Sequence, residues 1–404
     1  MSSLTLPPRR RLPLAVGTVL ASLAVLAGPS AKADPASAHP RLSVVPACGT
    51  PAAGRMACLA LVRADVAPQQ GRLTSAVPPG LGPDALQRAY GLPSATGGSG
   101  QTVAIVVAYD NPRAEADLAT YRAQYGLPPC TMANGCLRKV NENGGPRLPA
   151  ADVGWGEEAA LDLDMVSAAC PNCRILLVEA SAPDMEALGA GVNTAVRLGA
   201  RYVSNSYGGR EDALATRYDA AYFTHPGVAI TAASGDSGYG TMYPATSPRV
   251  TAVGGTALRS AGGSRGWTEV AWSGAGSGCS EFTAKPGRQR DTGCGRRTIT
   301  DVSAVADPAT GVAVYDTYGV GGWLVVGGTS ASAPIIAAAY ALAGPPPADS
   351  DPASFPYANA GALHDVTFGS NGSCDPVYLC TAGPGYDGPT GLGTPNGVTA
   401  FQAG

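Results

Sequence analysis

Apolar runs bounded by glycine alternate along this chain with longer segments of helical length. "TVAIVVAY", "RILLVEA", "RYVSNSYG", "VAITAASGD" and "WLVVGG" are continuous rather than alternating, as in strands covered on both faces of a parallel sheet. Between them, "PRAEADLATYRAQYG", "GEEAALDLDMVSAAC", "DMEALGAGVNTAVRLGA" and "SASAPIIAAAYALAG" are long enough for helices. Strand and helix in turn predict an α/β fold: a doubly wound, mostly parallel sheet with helices on both faces. Ligands of such sheets bind beyond the carboxyl ends of strands, where Asp110, Asp236 and Ser330 fall.

Composition narrows the class. The 404 residues are 45% apolar with a net charge of −3, enough for a large core and without the basic field that nucleic acid requires. Only 14% are charged, while 54 Gly and 35 Pro point to many ordered turns. Arg9 to Arg11, the apolar run Leu12 to Ala27 and small residues ending at Ala33 or Ala38 read as a secretory signal peptide, with residues 1–33 removed. The run is too short for a stable membrane anchor and Pro13 interrupts it. Residues 34–79 form a Pro- and Ala-rich arm that reads as poorly packed, and the compact domain spans 80–404.

Ten cysteines remain, at Cys48, Cys58, Cys130, Cys136, Cys170, Cys173, Cys279, Cys294, Cys374 and Cys380. An even count in a secreted chain predicts disulfides, most simply between nearest neighbours. "CPNC", Cys170 to Cys173, also admits a redox motif or half a metal site, although no second CxxC or His cluster accompanies it.

The chemistry centres on "VVGGTSASAP". A serine opening a helix after a strand, here Ser330, gains backbone N–H groups that can hold a developing oxyanion, but the same pattern also serves as an ordinary helix cap. Its base is not obvious. His39, His225 and His364 lie in contexts unlike a peptidase triad, so a Ser-His-Asp arrangement with Asp110 is disfavoured. Glu158 and Asp162 are four residues apart and share a helix face, where two carboxyls can share a proton. Glu157 and Asp164 allow the alternative of a solvated acidic face. Asp236, between glycines after an apolar strand, either stays protonated and donates or closes an Asx-turn.

Glu158-x-x-x-Asp162, Ser234-Gly-Asp-Ser-Gly238 and Gly327-Gly-Thr-Ser-x-x-x-Pro334, in this order, resemble the sedolisin family of serine-carboxyl peptidases. The similarity runs from about Gly80 to Ala400 through "GSGQTVAIVVAYDN", "SNSYGG", "AVGGT", "DVSAVADPATG" and "GPGYDGPTGLGTPNG". It implies a subtilisin-like fold with Ser330 as nucleophile, Glu158 as base, Asp162 as its carboxyl partner and Asp236 stabilising the oxyanion. It further implies that "SNSYGG", with Ser204, Ser206, Tyr207 and Gly208, offers a backbone edge to a peptide substrate. One calcium ion is implied at Asp365 and Asp387 with the carbonyls of Val366, Gly383 and Gly385, an oxygen-only set that suits this cation. The family also carries a large prodomain, for which residues 34–79 are too few.

The expectation is a secreted, monomeric endopeptidase acting on protein or peptide substrates in acid. The alternatives are a feebly active homologue that binds peptides or proteins extracellularly, and a His-dependent subtilisin.

Overall fold

The computed structural model describes residues 1, 3, 42–73 and 77–404. His39 and the expected signal peptide, apart from Met1 and Ser3, lie outside the described residues. Leu42 to Gly404 form one compact unit. In chain order its strands open with β1 (Val44–Pro46), β2 (Ala57–Cys58) and β3 (Leu61–Arg63). β4 (Thr102–Ala108), β5 (Leu137–Asn141), β6 (Arg174–Ala180), β7 (Tyr202–Asn205), β8 (Tyr207–Gly208) and β9 (Ala229–Ala233) follow. Next come β10 (Thr251–Ser260), β11 (Trp267–Ala271), β12 (Gly278–Ala284), β13 (Arg296–Ile299), β14 (Val302–Val305), β15 (Val312–Asp316) and β16 (Gly322–Gly327), before a final two-residue pair, β17 (Leu363–His364) and β18 (Thr394–Pro395). The longer helices are α1 (Pro83–Ala89), α2 (Ala114–Gln124), α3 (Val153–Ala169), α4 (Met185–Arg197) and α5 (Thr329–Ala343).

The central sheet has the order β11-β10-β9-β7-β4-β6-β5, with β14 also beside β10, and every neighbour is parallel except β10 with β11. The expected subtilisin-like α/β sheet is therefore present. Residues 103–108 of β4 are fully or nearly fully buried because helices cover both faces, which is why the sequence there is unbroken Val, Ala and Ile. The helices follow from local signals as well. The Asp152 side chain caps α3 by accepting from Trp155 N–H, and Asp184 caps α4 by accepting from Ala187 N–H. Gly328 (φ 91°) and Gly344 (φ 97°) bound α5 in a conformation that disfavours a side chain.

Two expectations are corrected. "WLVVGG" is not a strand of the parallel sheet: β16 runs antiparallel between β15 and β3 in a separate four-stranded sheet of order β1-β3-β16-β15. Its apolar run arises because that small sheet also packs into the core, where Trp323 and Val326 are buried. Nor is the stretch before residue 79 poorly packed where it is described. β1 and β3 belong to the small sheet, β2 pairs with β8, and Met56, Leu59 and Ala60 are buried.

All ten cysteines pair with their nearest neighbours: Cys48–Cys58, Cys130–Cys136, Cys170–Cys173, Cys279–Cys294 and Cys374–Cys380. "CPNC" is thus a disulfide in this structure. Among the described residues no helix is long and apolar enough to cross a membrane.

Candidate active site

α3 and α5 pack against each other beneath the carboxyl ends of the strands, and this contact brings their polar groups together in the interior. α3 is buried almost all round, so its acids face protein on every side rather than water. The solvated-face alternative therefore fails for a packing reason: Glu157 is only 9% exposed, and Glu158, Asp162 and Asp164 are at most 1% exposed.

Ser330 Oγ donates to Glu158 Oε2 at 2.8 Å and also lies 3.1 Å from the Ser206 carbonyl oxygen. Asp162, one turn further along α3, accepts from Ser206 Oγ at 2.6 Å. Asp236, just past β9, accepts on Oδ1 from Thr329 N–H (2.8 Å) and Thr329 Oγ1 (2.7 Å), and Thr329 Oγ1 in turn accepts from Gly235 N–H (3.1 Å). These bonds fix one carboxyl oxygen and leave Asp236 Oδ2 without a partner among the described residues; Glu158 Oε1 and Asp162 Oδ2 are likewise unpartnered. Serine, two coupled carboxyls and a third acid thus share one buried site.

Burial is the main electrostatic force here. It pushes Glu158 well above the usual carboxylate range, the Asp162 and Asp236 charges push further, and the Ser330 hydrogen bond opposes. Asp162 is raised by burial against the Ser206 bond. Asp236 is pushed up to about 7 by burial, with the Thr329 bonds pulling down. All three acids therefore keep their protons to higher pH than ordinary carboxyls, and the adjacent Glu158 and Asp162 titrate as a pair rather than independently.

The remaining α3 acids belong to a second buried cluster. Glu157 is raised to about 7 by burial and by Asp316, and Asp316 is itself raised to about 7, first by burial. Asp164 accepts from Tyr315 N–H at 2.8 Å. None of these touches Ser330.

Neither described histidine takes part. His225 Nε2 pairs with Asn193 Oδ1 at 2.8 Å, and His364 lies in a separate two-residue strand. Asp110 forms an ion pair with Lys139.

Of the expected substrate edge, Ser206, Tyr207 and Gly208 turn their backbone toward residues 57–59: Tyr207 and Gly208 pair with Cys58 and Ala57, and the Ser206 carbonyl accepts from Leu59 N–H and faces Ser330 Oγ. Ser204 does not, because it sits inside β7 between β4 and β9 with its backbone committed to the sheet. Sequence reasoning missed two other participants. Thr329 orients Asp236 through both its N–H and its hydroxyl. The segment "CLALVR" places Leu59 N–H and Ala60 N–H on Glu158 Oε2, at 3.0 and 2.9 Å. Its one signal was an apolar, strand-compatible run inside an otherwise Pro-rich stretch.

Asp365 and Asp387 come together in the C-terminal loop. Gly385 N–H donates to Asp365 Oδ2 (2.8 Å), Gly383 N–H to Asp387 Oδ2 (3.0 Å), and Thr390 N–H to Asp387 Oδ1 (2.9 Å). Thr390 Oγ1 also faces the Val366 carbonyl at 3.5 Å. Among the described residues no cluster of three or more His, Cys, Asp or Glu side chains is present.

A twisted, mostly parallel sheet with a serine at the head of a buried helix defines the class of subtilisin-like α/β proteins. Residues 140–344 match the model of the subtilase family. Kumamolisin of Bacillus sp. (strain MN-32) is 32% identical over 83% of this chain and 65% of its own length, and sedolisin of Pseudomonas sp. (strain 101) is 33% identical over 39% and 29%. The solved structure of Pseudomonas sedolisin, a serine-carboxyl proteinase complexed with pseudo-iodotyrostatin, superposes with a TM-score of 0.66 at 26% identity, covering 80% of this chain and 96% of that one. The chain belongs to the subtilase family, on its sedolisin branch. It spans less than two thirds of the length of the curated relatives it matches.

Proposed function

We propose that this protein is a secreted serine-carboxyl endopeptidase that hydrolyses peptide bonds in acid. The observation that carries the proposal is the 2.8 Å bond from Ser330 Oγ to a buried carboxyl group, with neither described histidine beside it. Glu158 takes the Ser330 proton as the hydroxyl adds to a substrate carbonyl, and then delivers it to the leaving nitrogen. Asp162 holds the second proton of the carboxyl pair and modulates the basicity of Glu158. Asp236, protonated, donates from Oδ2 to the developing oxyanion, and its Oδ1 is held by Thr329.

The sign of the pH dependence follows. Activity needs one charge on the carboxyl pair and a proton on Asp236, so it falls as pH rises through about 7, where Asp236 ionises. Digestion of a peptide library should therefore yield cuts in acid, few at neutral pH, and none with folded Ser330→Ala. Activity that peaks above neutrality, or that survives in the alanine variant, rejects the assignment. A weakly active, peptide-binding homologue is the second reading, favoured by the Leu59 and Ala60 N–H groups that already sit on Glu158; a folded wild type with no cleavage at either pH supports it.

The five disulfides support an extracellular setting. We further propose one calcium ion at Asp365 and Asp387, with the Val366, Gly383 and Gly385 carbonyls as neutral ligands. The donor set fits a hard cation. Two like-charged carboxylates share this loop, the Asp387 one is buried, and among the described residues neither is in an ion pair. When bound, the ion ties the C-terminal loop to the core and takes no part in the chemistry. Calcium at about 100 times its Kd should stabilise the fold by roughly 2.7 kcal/mol, and chelation should lower the melting temperature accordingly. Identical melting in excess calcium and excess chelator at pH 6 rejects the site.

A further inference from the structure

The cleft is filled by the chain's own residues 57–61. β2 runs antiparallel to β8, with Cys58 opposite Tyr207 and Ala57 opposite Gly208. Leu59 N–H reaches the Ser206 carbonyl at 3.3 Å, the same oxygen that faces Ser330 Oγ. Leu59 and Ala60 N–H both bind Glu158 Oε2, the oxygen that holds the Ser330 hydroxyl. The Leu59 carbonyl oxygen and Asp236 Oδ2 face one point on the Gly328 backbone: a Cβ placed there would sit 1.9 Å from the first and 2.5 Å from the second. The Leu59–Ala60 peptide bond therefore lies between Asp236 and Glu158. Its carbonyl points to the oxyanion donor and its nitrogen to the base. The Leu59 side chain lies toward Gly208 beside Met242, and Leu61 packs against Trp272, Ala275 and Ala306.

The two sides of that bond are also tied to each other. Cys58, immediately before Leu59, is bonded to Cys48. Cys48 follows β1, and β1 pairs with β3, which begins directly after Ala60 (Pro46 opposite Leu61, Val44 opposite Arg63). Ala47 N–H closes the loop on the Ala60 carbonyl at 2.9 Å.

We propose that residues 47–61 form a built-in reactive-site loop, with Leu59–Ala60 as a bond that Ser330 opens and reseals. The inference rests on the catalytic reading above. Ser330 Oγ adds to the Leu59 carbonyl carbon as its proton passes to Glu158. The bond to the Ala60 nitrogen then breaks and that nitrogen takes the proton, leaving Leu59 esterified on Ser330. Because the disulfide and the β1–β3 pairing hold both new ends, the Ala60 amine stays close and reattacks the ester, restoring the peptide bond and the Ser330 proton. Water in its place gives a Leu59 carboxylate, and the nicked loop remains seated. The loop is thus both a slow substrate and a restraint, and it marks leucine as a residue the cleft accepts on the acyl side of the cut.

The test is denaturing mass spectrometry of the purified protein held in acid, alongside cleavage of an added peptide library. Wild type should give a fragment ending at Leu59 and one beginning at Ala60, at a nicked fraction that levels off below completion and is reached from intact or nicked material alike. Ser330→Ala should stay intact, as should Ala60→Pro, which keeps every cysteine but has no N–H for Glu158. Cys48→Ser/Cys58→Ser should run to complete cleavage, release the fragment and raise cleavage of added peptide by at least about tenfold as the tethered competitor is lost. Ser330-dependent cleavage of added peptide with Leu59–Ala60 intact overturns the proposal and leaves the catalytic reading standing. A nick in Ser330→Ala, or wild type running straight to completion, also overturns it. No Ser330-dependent cleavage of either bond removes the catalytic reading and the proposal together.

Discussion

Glu158→Gln is expected to lower turnover by at least about a hundredfold, the scale of losing a general base. The glutamine is nearly isosteric, and its carbonyl oxygen can still accept from Ser330, Leu59 and Ala60, so the fold should survive. What it cannot do is take the Ser330 proton. The loss should appear in kcat and persist across pH, because an amide does not titrate. Glu157→Gln, one residue away in the second acid cluster, is the control and should keep most of the activity. His225→Ala should also keep it, since His225 pairs with Asn193 rather than with the site. A dead histidine variant beside an active Glu158→Gln would reject the carboxylate base.

The second large effect is expected at Asp236. Asp236→Ala removes both the acceptor that Thr329 uses and the donor proposed for the oxyanion, and should cost about 10²–10³ in kcat. Asp236→Asn separates the two roles. Its oxygen can keep the Thr329 bonds while its NH₂ donates from the Oδ2 position, so part of the lost rate should return. Because that donor does not ionise, the decline that wild type shows as pH rises through about 7 should move or vanish. Parallel pH profiles for wild type and Asp236→Asn would show that Asp236 is not the group setting that limit.

Helices α2 to α5 and half of the main sheet's eight strands, β4, β6, β7 and β9, were legible because their signals are local. α3 and α4 carry capping aspartates, α5 lies between glycines, and β4 and β6 carry apolar runs over residues 103–108 and 175–178. β10 was not legible, because "TAVGGTALRS" reads as a turn at its two glycines. Those glycines are there for packing: a Cβ on Gly255 would meet Ala306 Cβ at 2.5 Å, and one on Gly254 would meet Ser303 Oγ at 2.6 Å. The disulfides were legible because each joins close neighbours in sequence.

The serine and the three acids could be named from their motifs, but their burial could not. Spacing allowed a wet acidic face, and only the packing of α3 on every side removes it. The role of the Pro- and Ala-rich stretch was invisible for a different reason. Its strands find partners at β8 and β16, far along the chain, and no periodicity within residues 44–63 announces a distant partner.

The short span of the disulfides bears on how the molecule is made. Every bridge closes a loop of 3 to 15 residues, so each can form between cysteines that leave the ribosome almost together, with little opportunity for wrong partners. The pairing of β3 with β16, in contrast, must wait until nearly the whole chain exists, because the two strands lie near its opposite ends. The Cys48–Cys58 hairpin can therefore be complete long before the helix bearing Ser330 is synthesised. The nascent enzyme would meet its own stopper already folded.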